Sequence, residues 1–293
     1  RKQNSFLLLF LRFVFNLPLF VLILSCYSHD ICFINNLKSK KMKTTDQFDL
    51  FIFGSTSAVI EALISKHKDY FEKHVRTFHL VQRNEVIPEF FKEFSNVTLS
   101  IADCSNAEEF EKRLSEIVSK YVKNEIPMHV FPTYGTFKLD LQAKKPRFEY
   151  SRDGIQINLN SRLQILEAFR PYIENTKFHL FGSLFANFPY MGGYANSMWY
   201  INNVVADPNN KFYNTFDIVV HNLGGMMTKF WWSKEFGDAS GPFVYKEIPT
   251  ETILKHGFSN REKGGTRYTA YPSFFSKIAT FLGRRGMKPM DHQ

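Results

Sequence analysis

From Asp49 onward, short apolar runs alternate with amphipathic stretches. The apolar runs at 50–54, 78–82, 97–103, 128–132, 177–183 and 216–223 each read as a strand. Between them, 107–122 places Phe110, Leu114, Ile117, Val118 and Tyr121 at helical spacing. The segments 57–67, 156–172 and 194–206 also read as helices. Apolar strands joined through helices imply right-handed βαβ units and a parallel sheet with helices on both faces. The expected architecture is therefore a three-layer, doubly wound α/β fold, with ligands at the carboxyl ends of its strands. No internal repeat interrupts the pattern.

The first 41 residues do not follow it. Residues 6–27 form an apolar run of 22 positions, long enough to cross about 30 Å of hydrocarbon as a helix. Arg12, Asn16 and Pro18 interrupt that run, and a central charge is costly in lipid. Residues 17–25 look like a signal-peptide core, but no clear small-residue cleavage site follows. Three readings stand: a membrane anchor, a cleaved signal, or an extension upstream of a start at Met42. In each, residues 1–41 lie outside the folded domain expected over 42–293. The first implies a membrane-anchored protein with a soluble domain, the third a cytoplasmic one.

Composition is globular, at 44% hydrophobic and 22% charged residues. The net charge of +9 suggests a nucleic-acid or membrane partner until its distribution is considered. Residues 1–41 hold six lysines and arginines against the single acid Asp30, so more than half of the excess lies outside the fold-like pattern. A nucleic-acid partner is not expected. The three cysteines, Cys26, Cys32 and Cys104, form no CxxC or Cys/His spacing, so no metal site is expected either.

Candidate chemistry concentrates in 178–200, FHLFGSLFANFPYMGGYANSMWY. A strand runs into Gly182-Ser183, and Tyr194 opens a helix-like run with Met198 one turn on. This puts a hydroxyl at a strand end and a phenol on an adjacent helix, a pair able to hold a substrate oxygen and pass it a proton. The segment resembles the catalytic stretch of the short-chain dehydrogenases/reductases, where a Ser precedes Tyr-x-x-x-Lys. YANSM matches except that Met198 replaces the Lys, and the matched order spans roughly residues 48–285.

The resemblance implies an oxidoreductase using NADP(H) or NAD(H) on a carbonyl or alcohol. Ser183 would orient the substrate and Tyr194 would transfer the proton. Asn158 would support the proton path, with Asn160 as the alternative. In such enzymes the Lys lowers the Tyr pKa and binds the nicotinamide ribose. A free phenol titrates near ~10, so at pH 7 about one part in a thousand is phenolate. Lowering that pKa by three units takes roughly 4 kcal/mol of cation stabilisation. Met198 carries no charge and offers no hydrogen bond to a diol. The only Lys or Arg between Tyr172 and Lys211 is Lys177, so a substitute cation must come from a distant segment, such as Lys229 or Lys234. Reduction needs Tyr194 only as a neutral proton donor, which favours a reductase.

The same resemblance places the cofactor. FGSTSAVIEAL (53–63) stands at the first strand-to-helix turn, where the family carries Gly-x-x-x-Gly-x-Gly. Gly54 is retained, with Ala58 and Ile60 in place of the later glycines, and Ser55, Thr56 and Ser57 can donate to phosphate. Arg83 stands where a base meets the 2′-phosphate of NADP. Asp103 and Cys104 resemble the pair that holds adenine, although Asp103 or Ser105 can also cap the helix that follows. Pro132-Thr133-Tyr134-Gly135 stands where the family has Asn-Asn-Ala-Gly. Gly135 matches, while Tyr134 would crowd the nicotinamide side.

Gly224 and Thr228 match the stretch over the nicotinamide. A substrate flap is expected over 224–250, where Phe230, Trp231, Trp232 and Phe236 suit an apolar substrate, a dimer partner or a membrane. The amphipathic, basic stretch 271–288 either docks on the core or lies on a membrane surface. A homodimer follows from family habit. A different class of function stays open: a non-catalytic relative that binds a nucleotide or a protein partner, favoured by Met198, Ile60, Thr133 and Tyr134.

Overall fold

A computed structural model describes residues 47–135, 152, 154–183, 186, 193–207, 209–223, 225–226, 244–245, 248–258 and 268–270. Six principal strands form where the apolar runs predict them: β1 (Phe48–Phe53), β2 (Val75–Gln82), β3 (Val97–Ile101), β4 (Met128–Pro132), β5 (Thr176–Ser183) and β6 (Asp217–Leu223). Helix α1 (Ala58–Lys66) and a second short helix, α2 (Lys68–His74), join β1 to β2. Helix α3 (Ala107–Tyr121) joins β3 to β4. The 156–172 helix expected from sequence is a π-helical turn (Gln156–Asn160), then α4 (Ser161–Ala168), then a 3-10 stretch (Arg170–Asn175). Helix α5 (Gly193–Tyr200) likewise continues as a π-helical turn, Ile201–Val205.

The strand order is β3-β2-β1-β4-β5-β6, extended at the β6 edge by a short seventh strand, Tyr268–Ala270, and every pairing is parallel. The order reverses between β1 and β4, which opens a crevice at their carboxyl ends. A second, two-stranded pairing joins Gly225–Met226 to Val244–Tyr245 near the ends of the predicted flap. Helix α6 (Thr250–Gly257) follows it.

Period-two alternation assigns the side chains to two cores. Phe51 and Phe53 face one layer with Val130, Phe178, Leu180, Ile218 and Val220, against α3, α4 and α5. Leu50 and Ile52 face the other with Phe78, Leu80 and Phe131, against α1 and α6. Each fully buried Phe or Ile contributes roughly 1.5–3 kcal/mol relative to exposure, so the two layers fix the register of the sheet and, with it, the strand ends.

No helix among the described residues is long and apolar enough to cross a membrane. The apolar run 6–27, the aromatic cluster Phe230–Phe236 and the basic stretch 271–288 lie outside the described residues.

Candidate functional site

The carboxyl ends of β1, β2, β3, β4 and β5 carry most of the predicted residues. Gly54, just past β1, has φ +89°. A Cβ there would stand 3.0 Å from Thr133 Oγ1 and 3.1 Å from the Tyr134 ring, so only glycine fits on both counts. Thr133 closes the turn from the other side, its hydroxyl lying 2.8 Å from the Phe53 carbonyl and 2.7 Å from that of Gly54. Helix α1 then begins after Ser57, whose side chain does not cap it. Thr56 is exposed and Ser57 half-buried beside that helix start, whereas Ser55 is buried and donates to Gln82 at the end of β2. A glycine turn leading to a helix N-terminus without a side-chain cap is chemistry that suits a pyrophosphate.

Of the two bulky departures from the family pattern, Ile60 turns into the core, while the Tyr134 ring packs against the Gly54 turn. Ile60 is 1% exposed and packs in the core between α1 and the sheet. Tyr134, expected to crowd the nicotinamide side, instead donates its hydroxyl to the Val81 carbonyl of β2 at 3.2 Å and lies edge-on to Phe53 and Phe110. Its ring therefore points toward β2 and α3, away from β5. Burial holds its phenol well above the ordinary pKa.

Arg83 is exposed just beyond β2, close enough to act electrostatically on Cys104 and Tyr134. Asp103 is half-buried and accepts from the Ser105 amide at 2.9 Å. The cap of α3 is neither Asp103 nor Ser105 but Asn106, which accepts from the Glu109 amide at 3.3 Å. Cys104 is buried, its thiol pushed up to about 12 by burial, so it is inert as a nucleophile. Gly135 is exposed at the mouth of the β4 loop. Gly224 and Thr228 lie outside the described residues.

The catalytic candidates converge. Ser183 ends β5 and is hydrogen-bonded to the phenol of Tyr194, which lies in the first turn of α5. Asn158 is fully buried within the π-helical turn, while Asn160 faces solvent and donates to Gln156; Asn158 is thus the inward member of the pair. Such π-turns recur at functional sites. Gly154 sits between the Asn158 amide and the Gly193–Tyr194 backbone, its Cβ direction lying 3.9 Å from each. Met198 is 1% exposed, in the core under α5.

One charged residue at this site escapes the sequence reading. Arg162, on α4, is 4% exposed. It donates from Nη1 to the Phe181 carbonyl at 2.7 Å and from Nη2 to the Tyr134 carbonyl at 3.2 Å. The signal was available: Arg162 stands four residues after Asn158, one helical turn along the same face. Burial raises the Tyr194 pKa, and the Ser183 hydrogen bond and the Arg162 charge offset only part of that rise. Among the described residues no cluster of His, Cys, Asp or Glu is arranged to hold a metal.

The fold matches known structures. A short-chain dehydrogenase from Burkholderia cenocepacia, in complex with NADP, superposes with a TM-score of 0.60 at 13% identity, covering 83% of this chain and 99% of that one. The chain has the fold of the short-chain dehydrogenases/reductases. A Sphingobium yanoikuyae short-chain dehydrogenase in complex with NADPH gives 0.60 at 14% identity, over 84% and 98% of the two chains. NADPH-bound carbonyl reductase from chicken fatty liver gives 0.59 at 11%, over 76% and 96%. No family model matches the sequence, and no curated protein does. At these identities the likeness resides in the fold. Within that fold, Gly54 follows β1 and the Ser183–Tyr194 pair stands at the end of β5, with β4 between the two strands.

Proposed function

We propose that the protein is an NADP(H)-dependent oxidoreductase that reduces a carbonyl, or oxidises the corresponding alcohol, of an apolar substrate. The observation that carries this reading is the Ser183–Tyr194 hydrogen bond at the end of β5, with Asn158 buried behind it. Three structural neighbours with NADP or NADPH bound support the choice of cofactor. Gly54, Thr56 and Ser57, with the start of α1, would hold the pyrophosphate; Asp103, Cys104 and Gly135 would line the adenosine side; Arg83 would meet a 2′-phosphate. Gly224 and Thr228 are assigned to the nicotinamide side on sequence alone. The bound cofactor would supply a hydride. Ser183 would hold the substrate oxygen, Tyr194 would donate the proton to it, and Asn158 would support the replenishing path. The apolar substrate class follows from the aromatic flap sequence.

Met198 favours a second reading, a relative that binds nucleotide without turnover. The two separate on adding NADPH and then a panel of apolar ketones and aldehydes to the full chain. The enzyme reading expects a raised melting temperature with NADPH and carbonyl-dependent NADPH loss, the latter falling by roughly 10²–10⁴-fold in Tyr194→Phe. Binding without turnover supports the second reading, and absence of binding overturns both.

A further inference from the structure

We propose that Arg162 replaces part of the charge of the missing motif Lys: its guanidinium is the cation that favours ionised Tyr194, reached from the Asn158 helix instead of from the helix of Tyr194 itself. This deepens the oxidoreductase reading and rests on it. The argument starts from a cost. A guanidinium removed from water is expensive unless it is paired, and among the described residues no carboxylate pairs with Arg162. Its two hydrogen bonds go to backbone carbonyls, Phe181 and Tyr134, and its Nε has no partner. A side chain needed only to satisfy two carbonyls need not be charged. The titratable groups whose charge reaches it are the Tyr194 phenol and the Cys104 thiol, and of these only Tyr194 has a role that a positive charge assists.

Its anchorage also fits. Phe181 lies two residues before Ser183 on β5, and Tyr134 directly follows Thr133 at the crevice. The guanidinium is thereby pinned between the strand that presents the serine and the loop that closes the Gly54 turn. Asn158 lies one helical turn earlier on the same segment, so one helix delivers both the proton-path amide and the charge. Burial lowers the Arg162 pKa, with Tyr194 acting to raise it; the coupling is mutual, so the guanidinium holds its charge most firmly when the phenol is ionised. Arg162 is a positioning residue, acting through Tyr194. It does not replace the second task of the Lys, holding the nicotinamide ribose.

The test reads Tyr194 directly. In the full chain without cofactor, ring-labelled tyrosine is followed by NMR against pH, with the Tyr194 resonance assigned through Y194F. Wild type should show Tyr194 ionising before alkaline unfolding. R162M and R162Q should move that ionisation upward by about one pH unit or more, as loss of a nearby opposite charge does. R162K should leave it close to wild type. R162Q keeps an amide donor for the Phe181 carbonyl and serves if R162M does not fold. A Tyr194 that stays neutral up to unfolding in wild type, or that titrates at the same pH with and without the charge, overturns the inference. Turnover is measured separately. A charge-dependent Tyr194 titration without NADPH consumption in wild type sinks the enzyme reading while leaving the Arg162–Tyr194 coupling standing; the converse result sinks only the coupling.

Discussion

Acid should destabilise this protein well above the range where its carboxylates titrate, because three histidines cross the sheet interior in a row. His129 on β4 places Nδ1 2.8 Å from His179 Nε2 on β5, and His179 Nδ1 lies 3.3 Å from His221 Nε2 on β6. Phe131 stacks on His179 with ring centres 4.0 Å apart, and Phe258 stacks on His129 at 4.6 Å. His179 and His221 are fully buried, while His129 is half-buried at the end of the row. Burial holds all three below the ordinary imidazole value, His221 down to about 3, and Lys177 and His256 repel any proton gained. The folded pKa values are depressed, so this stability is fully present above the unfolded value near ~6.5 and is lost as pH falls below it. Between pH 7 and pH 5, each histidine that stays neutral in the folded state and protonates in the unfolded one costs about 2 kcal/mol. The two fully buried members therefore remove about 4 kcal/mol, with a smaller share from His129, against a total stability of roughly 5–15 kcal/mol. Urea unfolding at the two pH values measures the difference. His221→Asn should flatten the dependence by about 2 kcal/mol even if it lowers stability at pH 7. A difference below about 1 kcal/mol, or an unchanged slope in His221→Asn, refutes the reasoning.

Two further substitutions test how the chain packs around the site. Gly182→Ala places a Cβ against Asn202 Oδ1 and 3.1 Å from Asn222 Oδ1, so stability should fall by about 1–3 kcal/mol; an unaltered melting temperature would show that the two amides yield freely. Ile60→Gly restores the family's residue but empties a side chain that is 1% exposed, so about 3–5 kcal/mol of stability should be lost. Tighter NADPH binding at unchanged stability in that variant would show that Ile60 obstructs the cofactor instead of packing the core.

Five of the six principal strands were legible because their apolar runs bury both faces, and such a run has one stable place in an α/β protein; β3, at the sheet edge, is only half-buried and stood out by its β-branched run alone. Helix α2 was missed because KDYFEKH, seven residues with one buried member, Phe71, has too little periodicity to stand out. The break of 156–172 into π, α and 3-10 parts was invisible for a different reason. No residue in it breaks a helix before Pro171, and only the buried polar groups Asn158, Ser161 and Arg162 mark where that helix meets the site instead of the core. Tyr268–Ala270 is three residues long and becomes a strand only because the β6 edge accepts it.

At the site, sequence placed the candidate residues at the strand ends better than it placed their side chains. Ile60 and Tyr134 looked like obstructions because a motif comparison fixes the residue and not its direction. The core decided the direction: α1 turns Ile60 onto the sheet, and the Val81 carbonyl draws the Tyr134 hydroxyl toward β2. Met198 removes the motif charge, and along the chain the cations nearest Tyr194 are Lys177, at the start of β5, and Lys211, Lys229 and Lys234, the last two outside the described residues. A charge acts through space, however, and the helix packed beside α5 is the one that carries Asn158. Four residues further along that helix stands a buried arginine, so the step from Asn158 to Arg162 was open to helical periodicity alone. What periodicity could not supply was the reason for the charge. On the proposal above, that reason is a guanidinium held between Phe181 and Tyr134 with no paired carboxylate among the described residues, which leaves the Tyr194 phenol as the group whose ionisation its charge favours.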